Sequence, residues 1–400
     1  MTLPASVSIP AGEDLLARLQ ASGLRGRGGA WFPAAAKWRA VRVEGGRPAV
    51  VANGAEGEPG SIKDRFVMRT RPQAVMAGLG LAARALGAAA ATVYLKGAFA
   101  REAEALRGAR GAAGGIDVAV RQGDDTYIVG EETALLESLE GRRAWPRPKP
   151  PLPAAVGLFG QPTLVQNVET LSRVPEALAD PDAYRRGETT LVSLWGDVNA
   201  PGVYEVALGT PLEQVIARHG GPSGPIGLVF PAGPSSPPLR AGQLDTPLDP
   251  DALRAAGSGL GTAALLVLGA GRCPVGIGMA LAAFFERESC GQCPPCVVGA
   301  NSLSRVLQAV EGGRARGRDL NDLAEVAGFM SGHGYCAHCR TAAAAVSGVL
   351  ARVPEDVAAH LSARGCPRGG GAGDPFAAGS PERAAIEAAL ERQTASPSRR

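Results

Sequence analysis

Cys290-Gly-Gln-Cys293-Pro-Pro-Cys296 sets three thiols on one tight loop, and Cys336-Ala-His-Cys339 adds two more. These two short motifs hold five of the chain's seven cysteines, Cys273 and Cys366 being the others. Such crowding is ligand spacing rather than the dispersed pairing of a disulfide-stapled secreted chain, so a reducing, cytoplasmic setting is expected. Two residues between successive thiolates let the backbone wrap one corner of a cubane iron–sulfur cluster, whose fourth ligand comes from elsewhere in the chain. Cys290, Cys293, Cys296 and Cys336 make a complete set for a 4Fe–4S cluster, with Cys339 and His338 as rival ligands. The competing reading is a zinc ion held by Cys293, Cys296, Cys336 and Cys339, and the doubled spacing of the first motif favours the cluster. Cys273 and Cys366 read as a small buried hydrophobe and an exposed thiol.

A chain of 400 residues exceeds what one core organises, so two or three domains are expected. It is 45% hydrophobic but only 4% aromatic, with 55 Gly and 32 Pro, so its core leans on Ala, Val and Leu between many loops. Lys and Arg total 41 against 38 Asp and Glu, a net charge of +3 that is too balanced for a polyanion binder, and no nucleic acid partner is expected. The N-terminus lacks the basic and apolar regions of a signal peptide. The apolar stretches 257–271 and 273–285 flank Arg272, and each is shorter than the roughly 18 residues of a spanning helix, so no direct membrane insertion is expected.

From Asp14 to about Asp182, apolar β-type runs at 49–52, 91–95, 116–120 and 126–129 alternate with helical stretches such as 72–86 and 101–107. That alternation predicts a parallel sheet covered by helices over residues 1–185. Residues 186–270, with a hairpin around 197–202 and a short helix at 211–218, read as a small α+β module. Residues 271–363 read as a helical bundle carrying the cysteines, with helices at 280–288, 297–311, 319–330 and 342–353. The Gly/Pro-rich remainder, 364–400, is expected to lack fixed structure except for a short helix at Glu382–Glu391.

Two further loop types carry chemistry. Gly23-Leu-Arg-Gly26-Arg-Gly28-Gly29 is a glycine loop with two arginines, followed by Phe32 and Lys37, a composition that can close backbone N–H groups on a phosphate; a surface turn explains it equally well. Asn53-Gly-Ala-Glu56-Gly-Glu58 and Tyr127-Ile-Val-Gly130-Glu131-Glu132 each follow an apolar run, where open α/β sheets bind ligands. Either acidic loop alone could equally be a helix cap.

Taken in order, the stretches 23–38, 53–65, 127–170, 288–296 and 334–339 resemble the NADH-binding flavoprotein subunit of respiratory complex I, a family shared with NAD-linked hydrogenases and formate dehydrogenases. The resemblance implies an α/β FMN-binding domain, a β-grasp module and a C-terminal helical bundle carrying a 4Fe–4S cluster. It places Gly26, Gly28, Lys37, Asn53, Glu56, Tyr127, Gly130, Glu131, Val165, Asn167 and Thr170 on FMN. Phe32 is placed against the adenine of NADH, and Glu58, Glu132 and Lys149 on its remainder. The flavin carries the hydride chemistry, so no catalytic side chain is implied. Trp31, Ala40, Ala55, Val129, Leu152 and Gln166 depart from the family's usual residues, and Ala40 and Leu152 remove two adenine-stacking rings while Trp31 offers a new one nearby. The implied activity is oxidation of NADH with electrons passed through the cluster to a thioredoxin-like 2Fe–2S subunit and other electron-transfer subunits on separate chains, at the inner face of a membrane. The alternatives are a flavin and cluster relay that takes electrons from another donor, and a metal-binding scaffold without catalysis.

Overall fold

The computed structural model describes residues 14–42, 47–370 and 373–395. They form two compact units, one built on residues up to Thr190 and the other on Leu191–Gln393 together with the short segment Glu58–Ser61.

The first unit runs α1 (Leu15–Ser22), α2 (Ala34–Val41), β1 (Ala49–Gly54), α3 (Lys63–Thr70), α4 (Pro72–Leu86), β2 (Ala90–Lys96), α5 (Ala100–Gly108), β3 (Asp117–Gly123), α6 (Glu132–Leu139), β4 (Thr163–Asn167), α7 (Val168–Ala179) and α8 (Pro181–Arg186). Its four strands are parallel in the order β3-β2-β1-β4. In β1, Val50, Val51 and Ala52 are all buried, because helices cover both faces of a parallel sheet and the strand must be apolar on both. Helices α4 and α7 pack so closely at Gly78 that a Cβ there would lie 1.8 Å from the Leu171 carbonyl oxygen. The expected strand at 126–129 is instead a tight turn over Ile128–Gly130, and the fourth strand is Thr163–Asn167. Strand β3 already ends at Gly123, and Ile128 and Val129 are buried from a turn rather than a ladder.

The second unit begins with β5 (Thr189–Gly196), whose first residues lie at the division, then β6 (Gly202–Ala207), α9 (Leu212–His219), β7 (Ile226–Phe230), β8 (Leu239–Arg240), α10 (Pro250–Ala255) and β9 (Ala264–Gly269). These strands make a mixed sheet in the order β6-β5-β9-β7-β8. Helices α11 (Pro274–Arg287), α12 (Pro294–Glu311), α13 (Gly317–His333), α14 (Ala337–Arg352) and α15 (Pro354–Ala363) follow. Proline at the first helical position opens α11, α12 and α15, where its missing N–H has no intrahelical partner to lose.

The segment expected to lack fixed structure differs. Residues 373–395 are placed, and α16 (Pro381–Thr394) is longer than the predicted short helix. Phe376 is fully buried between Phe230 and Phe284, and Ile386 and Leu390 are buried as well. The Gln393 side chain accepts from Val203 N (2.9 Å) and donates to Val203 O (3.2 Å), which satisfies part of the open edge of β6. A few apolar anchors and one amide fix a segment whose glycine and proline content alone predicts disorder.

Among the described residues no helix is long and apolar enough to cross a membrane.

Candidate functional site

The chain leaves β1 toward β2 and β3 and returns on the opposite side as β4, so the strand order reverses between β1 and β4. In parallel α/β sheets that reversal opens a crevice beyond the carboxyl ends of the two strands, where ligands bind. Asn53 and Asn167 stand there as register partners. Asn167 Oδ1 accepts from Glu169 N (3.0 Å) and Thr170 N (3.2 Å), capping α7, while its amide donates to Asp64 Oδ2 at 2.6 Å. The Asn53 amide donates to Gly130 O (2.9 Å) and so ties the two acidic loops together.

The glycine loop reaches the same crevice. A Cβ on Gly28 would lie 3.2 Å from Asn167 Cβ, so any side chain there would press on Asn167. Gly26 N donates to Phe32 O (2.9 Å), and Arg27 N donates to Thr170 Oγ1 (2.7 Å). The Arg27 side chain turns inward: it is 1% exposed, donates to Arg25 O (2.7 Å) and pairs with Glu188 at 2.6 Å. It braces the loop rather than meeting an anion. Trp31 is also buried, with the Arg27 guanidinium 4.3 Å over its ring, whereas Phe32 is 54% exposed. Trp31 therefore packs on Arg27 and does not stand beside Phe32 as a second exposed ring. Ala40 and Leu152 are exposed.

Four of the expected residues form one charged chain. Lys37 Nζ lies 3.0 Å from Glu132, and Lys149 Nζ bridges Glu132 (2.9 Å) and Glu131 (2.7 Å). Glu131 also accepts from Thr133 N and Ala134 N, capping α6. Burial pushes the Glu132 carboxyl up, but Lys37 and Lys149 outweigh it and hold the group below the usual range. Burial likewise works against the Lys149 ammonium, and Glu131 and Glu132 hold its pKa above that of an ordinary lysine. Glu56 turns its carboxylate onto the start of α3, accepting from Asp64 N (3.1 Å) and Arg65 N (3.2 Å). Val165 is buried in a cluster with Val51, Ala55 and Val129, so only its backbone can meet a ligand. The Tyr127 carbonyl borders Gly57, where a Cβ would meet it at 3.1 Å. Glu58 groups with the second unit.

In that second unit the cysteine motifs sit alike on two helix starts. Cys293 is the N-cap of α12 with Cys296 in its first turn, and Cys336 is the N-cap of α14 with Cys339 in its first turn. The positive ends of both helix dipoles favour thiolate over thiol. Cys293, Cys296 and Cys339 are buried, while Cys290 and Cys336 are half-buried. Cys339 Sγ donates to Met330 O (3.2 Å). The neighbouring Cys339 thiol, with burial, pushes Cys296 up, and Cys296 in turn holds the Cys339 pKa down. His338 Nε2 lies 3.0 Å from Phe285 O, and burial lowers its pKa.

Residues 19–176 match the Nuo51 FMN-binding domain, residues 277–360 the NADH-ubiquinone oxidoreductase-F iron–sulfur binding region, and residues 191–227 the SLBB domain. The mitochondrial NADH-ubiquinone oxidoreductase 51 kDa subunit of Neurospora crassa is 37% identical over 378 residues, covering 87% of this chain and 77% of that protein. The chain belongs to the NADH-ubiquinone oxidoreductase 51 kDa family. Bacterial relatives within the 51 kDa family include an NADH-quinone oxidoreductase subunit of Rhizobium meliloti (37% identical, covering 89% of this chain and 90% of that one) and one of Streptomyces coelicolor (38% identical, covering 89% and 84%). A crystal structure of NAD+-reducing NiFe-hydrogenase in the H2-reduced state superposes with a TM-score of 0.81 at 34% identity over 88% of this chain, which spans 63% of the hydrogenase chain.

Within the part of the 51 kDa fold that matches the FMN-binding domain lies a buried ion cluster, whose Lys63, Asp64 and Glu169 fall in the resembling stretches 53–65 and 127–170 without a role assigned to them there. Lys63 Nζ lies 2.6 Å from Asp64 and 2.9 Å from Glu169, and Arg173 reaches Glu169 at 3.2 Å; all four side chains are nearly inaccessible. The cluster supports Asn167 through Asp64. Burial pushes the Glu169 carboxyl up, but Lys63, Arg173 and Arg27 outweigh it and hold its pKa at about 2. Its folded pKa is below the unfolded value of about 4.3, so its contribution is full above that pH and is lost as pH falls toward the folded value. The stability difference between the native protein and Glu169→Gln is therefore expected to narrow between about pH 4.3 and pH 3. Thermal melts across that range measure it, and a constant difference would contradict the ionised assignment.

Proposed function

We propose that this chain is an NADH-oxidising flavoprotein subunit that binds FMN and a 4Fe–4S cluster and passes electrons to partner chains. The observation that carries the reading is one chain holding both a glycine loop closed on Asn167 at the sheet's switch point and a cysteine set in which Cys293, Cys296 and Cys336 stand on two helix starts and Cys290 on the loop before the first. The fit is chemical. Gly26 N and Arg27 N are spent inside the loop, so a phosphate would meet the loop at Gly28, where no side chain blocks the approach, and thiols at cap positions suit iron. When bound, FMN accepts a hydride and releases single electrons, which the cluster carries one at a time.

In this reading Gly28 and Lys37 hold the phosphate end, while Gly26, Asn53, Glu56, Tyr127, Gly130, Glu131, Val165, Asn167 and Thr170 shape the flavin site through side chains or backbone. Phe32 takes the adenine, and Glu58, Glu132 and Lys149 take the rest of NADH. Glu132 and Lys149 neutralise each other at 2.9 Å, so this pair can meet ribose hydroxyls and a carboxamide as a neutral unit. The loss of stacking rings at Ala40 and Leu152 predicts weaker adenine binding, by about 0.5–1.5 kcal/mol per lost ring pair. Cys290, Cys293, Cys296 and Cys336 hold the cluster. A thioredoxin-like 2Fe–2S subunit receives the electrons, and the complex works on the cytoplasmic face of a membrane. Residues 1–185, 186–270 and 271–363 divide the work into flavin, β-grasp and cluster parts.

Mixing flavin-loaded protein with NADH anaerobically in a stopped-flow instrument is expected to bleach the flavin, and heat-released flavin is expected to chromatograph as FMN. Glu132→Gln should raise the NADH concentration at half-saturation about tenfold or more, the worth of one charge-assisted hydrogen bond, with FMN content unchanged. Flavin that stays oxidised at millimolar NADH would remove NADH as the donor and favour a relay that takes its electrons from elsewhere.

A further inference from the structure

Cys273, Glu311, His360 and Cys366 come from four separate segments of the second unit, and each presents one ligand atom within 4.8 Å of the other three. Among the described residues this is the only group of three or more potential ligands gathered so tightly. Cys273 caps α11, Glu311 ends α12, His360 lies on α15 and Cys366 follows that helix. None of them belongs to the cluster loop. From sequence, Cys273 reads as a buried hydrophobe and Cys366 as an exposed thiol, but here the two thiols share one site.

The geometry points to a structural zinc site. Tetrahedral zinc with bonds of about 2.3 Å to sulfur and about 2.0–2.2 Å to nitrogen and oxygen separates its ligand atoms by about 3.4–3.8 Å. Cys273 Sγ lies 3.3 Å from His360 Nε2 and 3.8 Å from Glu311 Oε2, and His360 Nε2 lies 3.1 Å from Glu311 Oε2. These three edges match the coordination polyhedron to within a few tenths of an ångström, and the ligand atom of Cys366 lies within 4.8 Å of each of the others. His360 Nδ1 donates to Asp356 O at 2.7 Å, which leaves Nε2 as the atom with a lone pair facing the other donors. A backbone carbonyl that fixes the ring in this way is the usual outer support of a metal-bound histidine. Two sulfurs, one nitrogen and one oxygen suit zinc and exclude magnesium and calcium, which take oxygen. All four positions are filled by protein, so the ion has a structural role: it ties the start of α11, the end of α12 and α15 to the chain that follows. Cys273 and His360 are buried, and the half-buried Glu311 and Cys366 mark the side of entry.

Holoprotein purified anaerobically and dialysed against a mild chelator is expected to contain about one zinc per chain beyond its iron, by elemental analysis. Cys366→Ser and Glu311→Gln should lower zinc to less than about a tenth of that while iron and flavin persist, and Cys290→Ser should lower iron while zinc and flavin persist. A readout on the unmodified protein guards against misfolded variants. Iodoacetamide should spare Cys273 and Cys366 until a strong chelator is added, then label both. Absence of zinc even after anaerobic incubation with zinc sulfate, retention of zinc by Cys273→Ser/Cys366→Ser, or a non-reduced peptide linking Cys273 to Cys366 would each overturn the assignment.

Discussion

Serine in place of Cys296 is expected to remove the cluster while the flavin stays. Iron should fall from about four per chain to background, because a hydroxyl replaces one of the four thiolates such a cluster requires. Cys296 is buried in the first turn of α12. The proposed flavin residues lie in the first unit, and NADH should still bleach the flavin in the variant. Delivery of electrons to a one-electron acceptor should fall to background. Cys336→Ser should behave the same way, whereas Cys339→Ser should retain its iron. Cys339 is fully buried with Sγ committed to Met330 O at 3.2 Å, while Cys336 is half-buried at the cap, as Cys290 is on its own loop. Iron analysis of the three variants decides the set. Loss of iron in Cys339→Ser with full iron in Cys336→Ser would exchange the two roles.

What is legible in the sequence is local. Cysteines two residues apart announce a metal loop wherever the chain goes, and Pro72–Leu86 forms the helix expected of that stretch between two β-type runs. Caps are readable too: the acidic loops read as caps or as ligand loops, and Glu131 and Glu56 both close helix starts. The misplaced strand has a different cause. Thr126–Val129 has the composition of a strand, as Thr163–Asn167 does, and only the neighbours decide which one pairs; β4 lies against β1 over its whole length. Arg27 reads as a phosphate partner because arginines in glycine loops often are, yet its partners, Glu188 and the Thr189 carbonyl, lie at the far end of the first unit's sequence. The group formed by Cys273, Glu311, His360 and Cys366 is invisible for the same reason: no two of its members share a motif spacing.

Lys63→Met is expected to be among the most destabilising single changes in the first unit. The ammonium is 1% exposed and sits between Asp64 and Glu169, with Glu56 also contributing to its field. Burial works against the charge, but these carboxylates outweigh it and hold the lysine above its ordinary pKa. Removing one partner from a buried ionic group leaves uncompensated charge and typically costs about 3–5 kcal/mol. Two features set where in that range the loss falls. Glu169 keeps Arg173 at 3.2 Å, so its charge remains compensated. Asp64 loses its only cation within salt-bridge distance among the described pairs, and burial already pushes its carboxyl up to about 7 despite Lys63; without the lysine it should take up a proton. That uptake limits the loss to about 3 kcal/mol near neutral pH, which is a drop of roughly 6–12 °C in melting temperature for a unit of this size. The sign with pH follows from the same carboxyl. With its folded pKa raised further, Asp64 stays protonated in the folded variant above about pH 7, where the native carboxyl ionises, so the variant's deficit should stay level from about pH 4 to pH 7 and grow as pH rises beyond that. Because Asp64 Oδ2 accepts from the Asn167 amide at 2.6 Å, the variant should also hold FMN less firmly than the native protein. Melts at pH 5 and pH 8 test the argument: a melting temperature within about 2 °C of the native value at both would mean that this buried cluster supplies little of the unit's stability.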